Sequence, residues 1–410
     1  VALNKNTTGD FNTALGRGAL NANTTADNNV GVGTCALFAN TTGASNVAIG
    51  CGALVANTTA NNNVAVGMCA MLATTTGANN TAVGFSALDT NTTGCENVVV
   101  GRDTMFSGTT ACRSVAVGYR ALKSVTTSAN NVAVGFCALN ANTTASNNTA
   151  VGKASMLSTT TGTCNTAVGM CSMADNTTGD QNAAFGYFAL QNNTTADFNV
   201  AIGGCAMFTN TTGCHNTALG RNALYANSTG NNNTAIGCGA LDTNTTASNN
   251  TAVGMNSLTA NTTGGDNNSF GNQSLCSNTT GEFNTAMGQA ALSKNTTGSS
   301  NTGVGANSLV NNTTGFDNVA LGRNAMAATT TGNETVAMGR DALCKNTTGI
   351  CNAAIGASAL FANTTGGSNT GIGRSALVSN TTAGNNTAVG TNALKSDTEG
   401  FENTALGNAA

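Results

Sequence analysis

The tripeptide Asn-Thr-Thr recurs at a fixed spacing through the whole sequence and is the residue pattern with the clearest chemical meaning. An asparagine followed two residues later by threonine or serine accepts N-linked glycans in proteins that pass through a secretory pathway. The same tripeptide also forms turns in which both side chains hydrogen-bond to their own backbone. Both interpretations fit the sequence. The eighteen candidate acceptors are Asn6, Asn23, Asn40, Asn57, Asn91, Asn142, Asn176, Asn193, Asn210, Asn227, Asn244, Asn261, Asn278, Asn295, Asn312, Asn346, Asn363 and Asn380.

Cysteine is the second residue type that could do chemistry. The sequence has 14 cysteines but no Cys-x-x-Cys pair, so zinc binding is not indicated. Cys95 and Cys112 are 17 residues apart, which equals one repeat of the chain and would place them on adjacent turns within reach of a disulfide. The alternative is that all the cysteines are scattered thiols tolerated at variable positions. Cysteine usage therefore does not fix the redox compartment.

The remaining candidate catalytic and metal-binding residues lack partners in the sequence. His215 is the only histidine and has no recurring acid or serine beside it, so a catalytic triad is not indicated. Four aspartates in similar turns do not recur in every repeat, as calcium ligands of a β-roll would: Asp27, Asp180, Asp266 and Asp317. We therefore predict no catalytic site, no metal, no cofactor and no enzymatic activity.

A glycine repeats every 17 residues from Gly16 to Gly407, which gives 24 registers without one insertion or deletion. Positions in the repeat are numbered 1 to 17 from this glycine, and the consensus is Gly-x-x-Ala-Leu-x-x-Asn-Thr-Thr-Gly-x-x-Asn-Thr/Val-Ala-Val. A loop can absorb insertions, whereas a stacked coil cannot. The unbroken spacing therefore predicts that every residue belongs to a stack of coils, as in a solenoid.

Composition supports regular stacking over an ordinary globular core. Only 8% of the residues are charged and 4% are aromatic, and proline and tryptophan are absent. The net charge of -3 predicts neither a basic patch for nucleic acid nor an acidic tail. No apolar run reaches the length of about 18 residues that a membrane-spanning segment requires.

The apolar columns of the repeat lead to an expectation about which residues are buried. Position 17 is always large and apolar, as in Leu15, Val32, Ile49 and Phe185, and position 5 is always leucine or methionine, so both are expected to lie in the core. Position 16 stays small, and we expect it to face neighbouring chains. The inter-chain packing residues predicted in this way are Ala14, Ala48, Ala65, Ala82, Ala116 and Ala133.

Polar columns and glycines have their own expected roles. The asparagine of position 14, as in Asn12, Asn29 and Asn46, is replaced only by Ser114 and Thr335 and predicts a stacked side-chain ladder. The glycines of positions 1 and 11 are expected at corners with positive φ. Adjacent coils lie only about 4.8 Å apart, which is too close for a glycan on every Asn-Thr-Thr, so we favour the turn for these sites.

The sequence thus predicts an all-β protein, a parallel β-solenoid of about 24 coils. Residues 1–410 are expected to form a single continuous array without an internal boundary. Because no polar cap is recognisable at either end, we expect this array to be a segment of a longer fibre or of an end-to-end polymer.

Asn46-Val47-Ala48-Ile49-Gly50 and its counterparts resemble the head repeats of trimeric autotransporter adhesins, and similar repeats occur in phage and virus tail fibres. The resemblance implies a left-handed parallel β-roll and an intertwined or side-by-side homotrimer. The repeat is longer here, with the extra length in the Asn-Thr-Thr segment. No neck, stalk, anchor or receptor motif is matched, so the ligands of those adhesins are not implied.

These patterns favour a structural fibre or filament shaft, a rigid spacer that is extracellular or on a cell or virion surface. Its expected partner is itself, with no nucleic acid and no membrane insertion. A second possibility is an adhesin that binds a receptor or glycan along its sides, although position 2 is chemically mixed, as Arg17, Met68 and Phe85 show. A third is ice binding, although two consecutive threonines should point in opposite directions and leave one outward column.

Overall fold

The computed structural model describes residues 1–410, which form two compact units, Val1–Gly204 and Cys205–Ala410. Each unit contains twelve three-residue strands and no helix. The strands of the first unit are β1 (Thr13–Leu15), β2 (Val30–Val32), β3 (Val47–Ile49), β4 (Val64–Val66), β5 (Thr81–Val83), β6 (Val98–Val100), β7 (Val115–Val117), β8 (Val132–Val134), β9 (Thr149–Val151), β10 (Thr166–Val168), β11 (Ala183–Phe185) and β12 (Val200–Ile202).

The second unit repeats the same arrangement. Its strands are β13 (Thr217–Leu219), β14 (Thr234–Ile236), β15 (Thr251–Val253), β16 (Asn268–Phe270), β17 (Thr285–Met287), β18 (Thr302–Val304), β19 (Val319–Leu321), β20 (Val336–Met338), β21 (Ala353–Ile355), β22 (Thr370–Ile372), β23 (Thr387–Val389) and β24 (Thr404–Leu406). No helix in the structure is long and apolar enough to span a membrane.

Parallel pairing between successive strands confirms the predicted β-solenoid. In the first unit Thr81 pairs with Val98, and in the second Thr234 pairs with Thr251, so each residue meets the residue one repeat later. Backbone hydrogen bonds also join neighbouring coils outside the strands, as from Leu54 to Ala70. Because proline is absent, no backbone N–H is missing from these ladders.

The core of each unit is a column of leucine and methionine at position 5, surrounded by small side chains. Leu54 and Met71 are fully buried, and so are the alanines of position 16, such as Ala82. Gly31 occupies position 16 in its coil, and a Cβ atom built there would lie 3.3 Å from Cγ of Leu20. Position 16 therefore packs directly against the leucine column of its own chain.

This arrangement corrects two expectations about the strand. The alanines predicted to pack between chains are enclosed by their own coil, with Ala48, Ala65, Ala82, Ala116 and Ala133 at 0% exposure and only the terminal Ala14 partly open. Position 17, expected in the core, instead points outward. A coil of 17 residues encloses one column of large side chains, so the small strand face must turn inward and the large one outward.

The backbone places left-handed conformations where the sequence did not indicate them. The glycine of position 1 has positive φ as expected, for example 137° at Gly50, and a Cβ there would clash with the carbonyl oxygen of Gly67. Glycines of position 11 do not adopt positive φ, and alanine replaces them in coils such as that of Ala60. Instead, positions 3, 5 and 13 are left-handed, and Leu54 has a φ of 51°. Each such non-glycine residue costs about 1–2 kcal/mol, which stacking must offset.

The inward and outward orientation of neighbouring strand residues can be tested by adding the same bulk on either side. Ala82→Ile should destabilise the coil by about 1–3 kcal/mol because it overpacks a filled core, whereas Val83→Ile should change stability by less than about 0.5 kcal/mol. Chemical denaturation followed by circular dichroism measures both. Equal effects of the two substitutions would contradict the assignment of faces.

Candidate interaction surfaces and the asparagine columns

The asparagines of position 8, the candidate glycan acceptors, form a buried ladder. The side-chain amide Nδ2 of Asn40 donates to Oδ1 of Asn23 in the preceding coil at 2.9 Å, and to the carbonyl oxygen of Gly43 at 2.9 Å. The equivalent bonds recur at Asn278 in the second unit. Both amide hydrogens are therefore used, one to stack the coils and one to close the local turn.

Burial of this ladder bears on the two interpretations of Asn-Thr-Thr. Apart from Asn6 in the terminal coil, all the candidate acceptors are at 0% exposure. A glycan on Nδ2 would remove a donor and require space inside the stack, so the folded coil excludes it. The structure supports the turn, which the sequence favoured, and argues against glycans at the seventeen buried asparagines.

The ladder is incomplete wherever position 8 is not asparagine. Oδ1 of Asn57 has no hydrogen-bond partner because Thr74 follows it one coil later, and Oδ1 of Asn91 has none above Gly108. Oδ1 of Asn312 is likewise unpaired, and so is the buried hydroxyl of Thr329 that follows it. Each unpaired buried polar atom costs about 1–3 kcal/mol, so these coils are local weak points.

Position 14 forms a second ladder, as predicted, but with a different bonding pattern. The backbone N–H of Asn46 donates to Oδ1 of Asn29 at 2.9 Å, and its Nδ2 donates to the carbonyl oxygen of Ala60 at 2.8 Å. The acceptor can be a hydroxyl, because Oγ of Ser114 accepts from the N–H of Asn131 at 3.3 Å. This explains why serine and threonine are the two replacements seen at this position.

The two threonines after the asparagine have different environments. The hydroxyl of Thr41 donates to the carbonyl oxygen of Thr58 at 3.0 Å, whereas Thr42 is exposed, and the same alternation recurs in later coils. The tripeptide thus presents a single outward threonine per coil, as the sequence suggested.

Cys95 and Cys112 occupy adjacent coils, with their Sγ atoms 3.1 Å apart as thiols. The hydrogen bond between the two thiols, followed by burial, raises the pKa of Cys95 to about 11. A disulfide has an S–S distance of about 2.05 Å, so oxidation needs only a small approach of the two sulfurs. The structure places the pair as the sequence suggested and leaves its oxidation state as a prediction.

The other candidate residues lie apart on the outer surface. Asp27 accepts the backbone N–H of Asp10 at 2.7 Å through Oδ1, which is a structural role between coils. Asp180 lies at the same position as Asp27, and Asp266, Asp317 and His215 lie one position further on. No group of three or more histidine, cysteine or acidic side chains is close enough to hold a metal ion.

The outward face of the strands, which the sequence did not indicate as exposed, is an apolar surface that repeats in every coil. Position 17 carries a large apolar residue in every coil of both units, and Ile49, Phe185 and Leu219 are 41%, 40% and 44% exposed. Position 15 beside it is valine or threonine in most coils. Apolar patches larger than a few hundred Å² on soluble proteins usually mark interaction sites. We call positions 15 and 17 the strand face.

The fold and these surfaces define a parallel β-solenoid with 17-residue coils, two internal asparagine ladders and an outward apolar strand face. A scan against protein-family models found no matching family, and a search among curated proteins found no match.

Restoring the ladder should stabilise the protein. Thr329→Asn would donate to the unpaired Oδ1 of Asn312 and remove the unpaired hydroxyl of Thr329, so we expect a gain of about 1–2 kcal/mol in unfolding free energy. Thr331→Asn is the control, since Thr331 lies in the same coil but is exposed. A gain equal for both, or a loss for Thr329→Asn, would contradict the ladder.

Oxidation of Cys95 and Cys112 should link two coils and close a loop of 17 residues. We expect the oxidised protein to be more stable than the reduced one by up to about 3 kcal/mol.

Before oxidation the raised pKa of Cys95 keeps its thiol protonated at neutral pH, so alkylation of Cys95 should accelerate as pH rises toward about 11. Mass spectrometry of peptides alkylated across a pH series measures this, and rapid alkylation at pH 7 would contradict it.

Proposed function

We propose that this protein is a structural fibre: a shaft of stacked coils that acts as a rigid spacer and is built from parallel copies of the same chain. The observation that carries the proposal is the strand face, in which position 17 stays large and apolar in every coil although it points outward. An outward surface that varied freely would accept lysine or glutamate, as positions 2 and 13 do.

The strand face also has a regular form that suits an interface. Large apolar side chains recur at position 17 in every coil, and Ile49 and Leu219 are 41% and 44% exposed. A continuous row of this kind fits a partner with the same axial repeat. A second copy of the chain that runs parallel, with each coil at the same height as its counterpart, has the same axial repeat because it has the same sequence.

Three copies are proposed because the repeats resemble those of trimeric adhesin heads, and because three strand faces can enclose an axis without leaving an apolar edge. The same resemblance supports a location outside the cell or on a cell or virion surface. Its work is mechanical, holding whatever lies at its ends at a fixed distance, and the proposal includes no catalysis.

Charged residues on the strand face should dissociate the copies. Ile49→Lys combined with Val83→Lys should lower the mass of the purified protein toward that of one chain, with little change in coil stability because both side chains already point outward. Cys51→Lys combined with Met68→Lys is the matched control, since these outward residues lie in the same region but off the strand face. Sedimentation velocity measures the mass.

A wild-type protein that remains a single chain at all concentrations would contradict the proposed fibre. So would a compact particle in electron micrographs, or an axial repeat far from the strand spacing of about 4.8 Å.

A further inference from the structure

Although the net charge is only -3, basic and acidic residues lie on two different parts of the coil. Positions 2–7 are called the basic face and positions 9–13 the acidic face, and the buried asparagines of positions 8 and 14 delimit them. Of the 14 lysines and arginines, 13 lie on the basic face, and Arg113 is the exception. Of the 17 acidic residues, 11 lie on the acidic face.

Both units show this separation independently. In the first unit the basic face has six basic residues against the three acids Asp89, Asp103 and Asp175. Its acidic face has five acids against Arg113. The basic residues are Lys5, Arg17, Arg102, Arg120, Lys123 and Lys153. The acids opposite them in the repeat are Asp10, Asp27, Glu96, Asp180 and Asp197.

In the second unit the basic face has seven basic residues against Asp242 and Asp341, and the acidic face has six acids and no basic residue. Asp397 lies between the two faces at position 8. The basic residues are Arg221, Lys294, Arg323, Arg340, Lys345, Arg374 and Lys395. The acids are Asp266, Glu282, Asp317, Glu334, Glu399 and Glu402.

Contacts within the chain show that the basic face is one surface. Arg102 and Arg120 both approach Oδ2 of Asp103 with Nε, at 3.5 and 3.9 Å. Burial, and after it the negative charge of Asp103, raises the pKa of Asp89. Position 6 of one coil is therefore close enough to position 3 of the next for their charges to interact. The third ion pair, Arg340 with Asp341 at 3.2 Å, also lies within the basic face. None of these three pairs joins the basic face to the acidic one.

The charges of the two faces also lie at similar levels along the stack. Arg323 and Glu334 belong to the same coil, and Lys395 shares its coil with Glu402. In the first unit Arg17 and Asp27 share a coil. Arg120, Lys123 and Arg221 are exceptions, with no acid of the acidic face in the same coil or in an adjacent one. In copies of the chain with their coils level, most basic residues would therefore lie within about one strand spacing, ~4.8 Å along the stack axis, of an acid of the neighbouring copy.

From this arrangement we infer that the basic face of one chain docks against the acidic face of a second copy of the same chain. The parallel orientation of the two copies rests on the proposed fibre, whereas the pairing of faces rests on the charges. Each chain has one face of each sign, so the contact is heterologous and closes into a ring when repeated around an axis. The strand faces then point to the centre, and the charged faces flank each contact.

Charge reversal on one face at a time tests the docking. One variant combines Arg323→Glu with Arg374→Glu, and a second combines Glu334→Lys with Glu402→Lys. All four side chains are exposed. Each variant should assemble at a concentration roughly tenfold higher than the wild type in low salt, the order expected from several weak surface ion pairs acting together. The difference should vanish near 1 M salt, where the Debye length is about 3 Å.

The quadruple variant carrying all four substitutions is the decisive measurement. It reverses two charges on each face, so that the reversed residues again lie level with opposite charges in a neighbouring copy of the same variant. It should therefore assemble with itself like the wild type and should mix less readily with wild-type chains. Sedimentation velocity of each protein alone, and of labelled mixtures, measures this, and circular dichroism checks that the coils remain folded.

The possible results separate the docking from the fibre. If the reversed variants assemble like the wild type in low salt while Ile49→Lys with Val83→Lys dissociates, the docking of charged faces is wrong and the fibre stands. If the quadruple variant fails to recover assembly, the docking is also wrong, because charge pairing then does not explain the single-face effects. A wild type that is monomeric in low salt overturns both.

Discussion

One column of large side chains, the leucines and methionines of position 5, fits inside the coils of each unit, and this limit on interior space governs the rest of the chain. With the column in place, most other inward positions hold small residues or asparagines whose amides hydrogen-bond to neighbouring coils. The strand then has no choice of face: alanine goes inward and the larger residue goes outward. Regular stacking supplies the order that a bulky core supplies in other proteins.

The 17-residue spacing alone was sufficient to predict a parallel β-solenoid, because a repeat without insertions leaves few other ways to hydrogen-bond every residue. The direction of the strand faces was not predictable from period two, since alternation shows that Ala82 and Val83 point opposite ways without showing which points inward. The size of the enclosed space decides this, and that size depends on how the remaining residues of the coil turn.

Backbone conformation was the other feature that the sequence concealed. Glycine usually signals positive φ, yet three non-glycine positions of the coil are left-handed, among them the leucine of the core. Leucine is retained there because its burial outweighs the strain, so residue type reports packing and not conformation. The Asn-Thr-Thr motif fits a glycan acceptor when only its three residues are considered. The stacked structure is needed to show that the asparagine amide is enclosed between coils.

The gaps in the position 8 ladder divide each unit into stretches that differ in the number of side-chain hydrogen bonds between neighbouring coils. In the second unit the ladder runs without interruption from Asn210 to Asn312, whereas in the first it is broken at Thr74, Gly108, Val125 and Thr159. Coils that share fewer cross-coil bonds open at a lower free energy, and backbone amides in them exchange with solvent sooner. The coils in the central part of the first unit should therefore open locally more often than those in the first half of the second unit. If the stack were pulled along its axis, neighbouring coils would separate first at the positions where the asparagine ladder is interrupted.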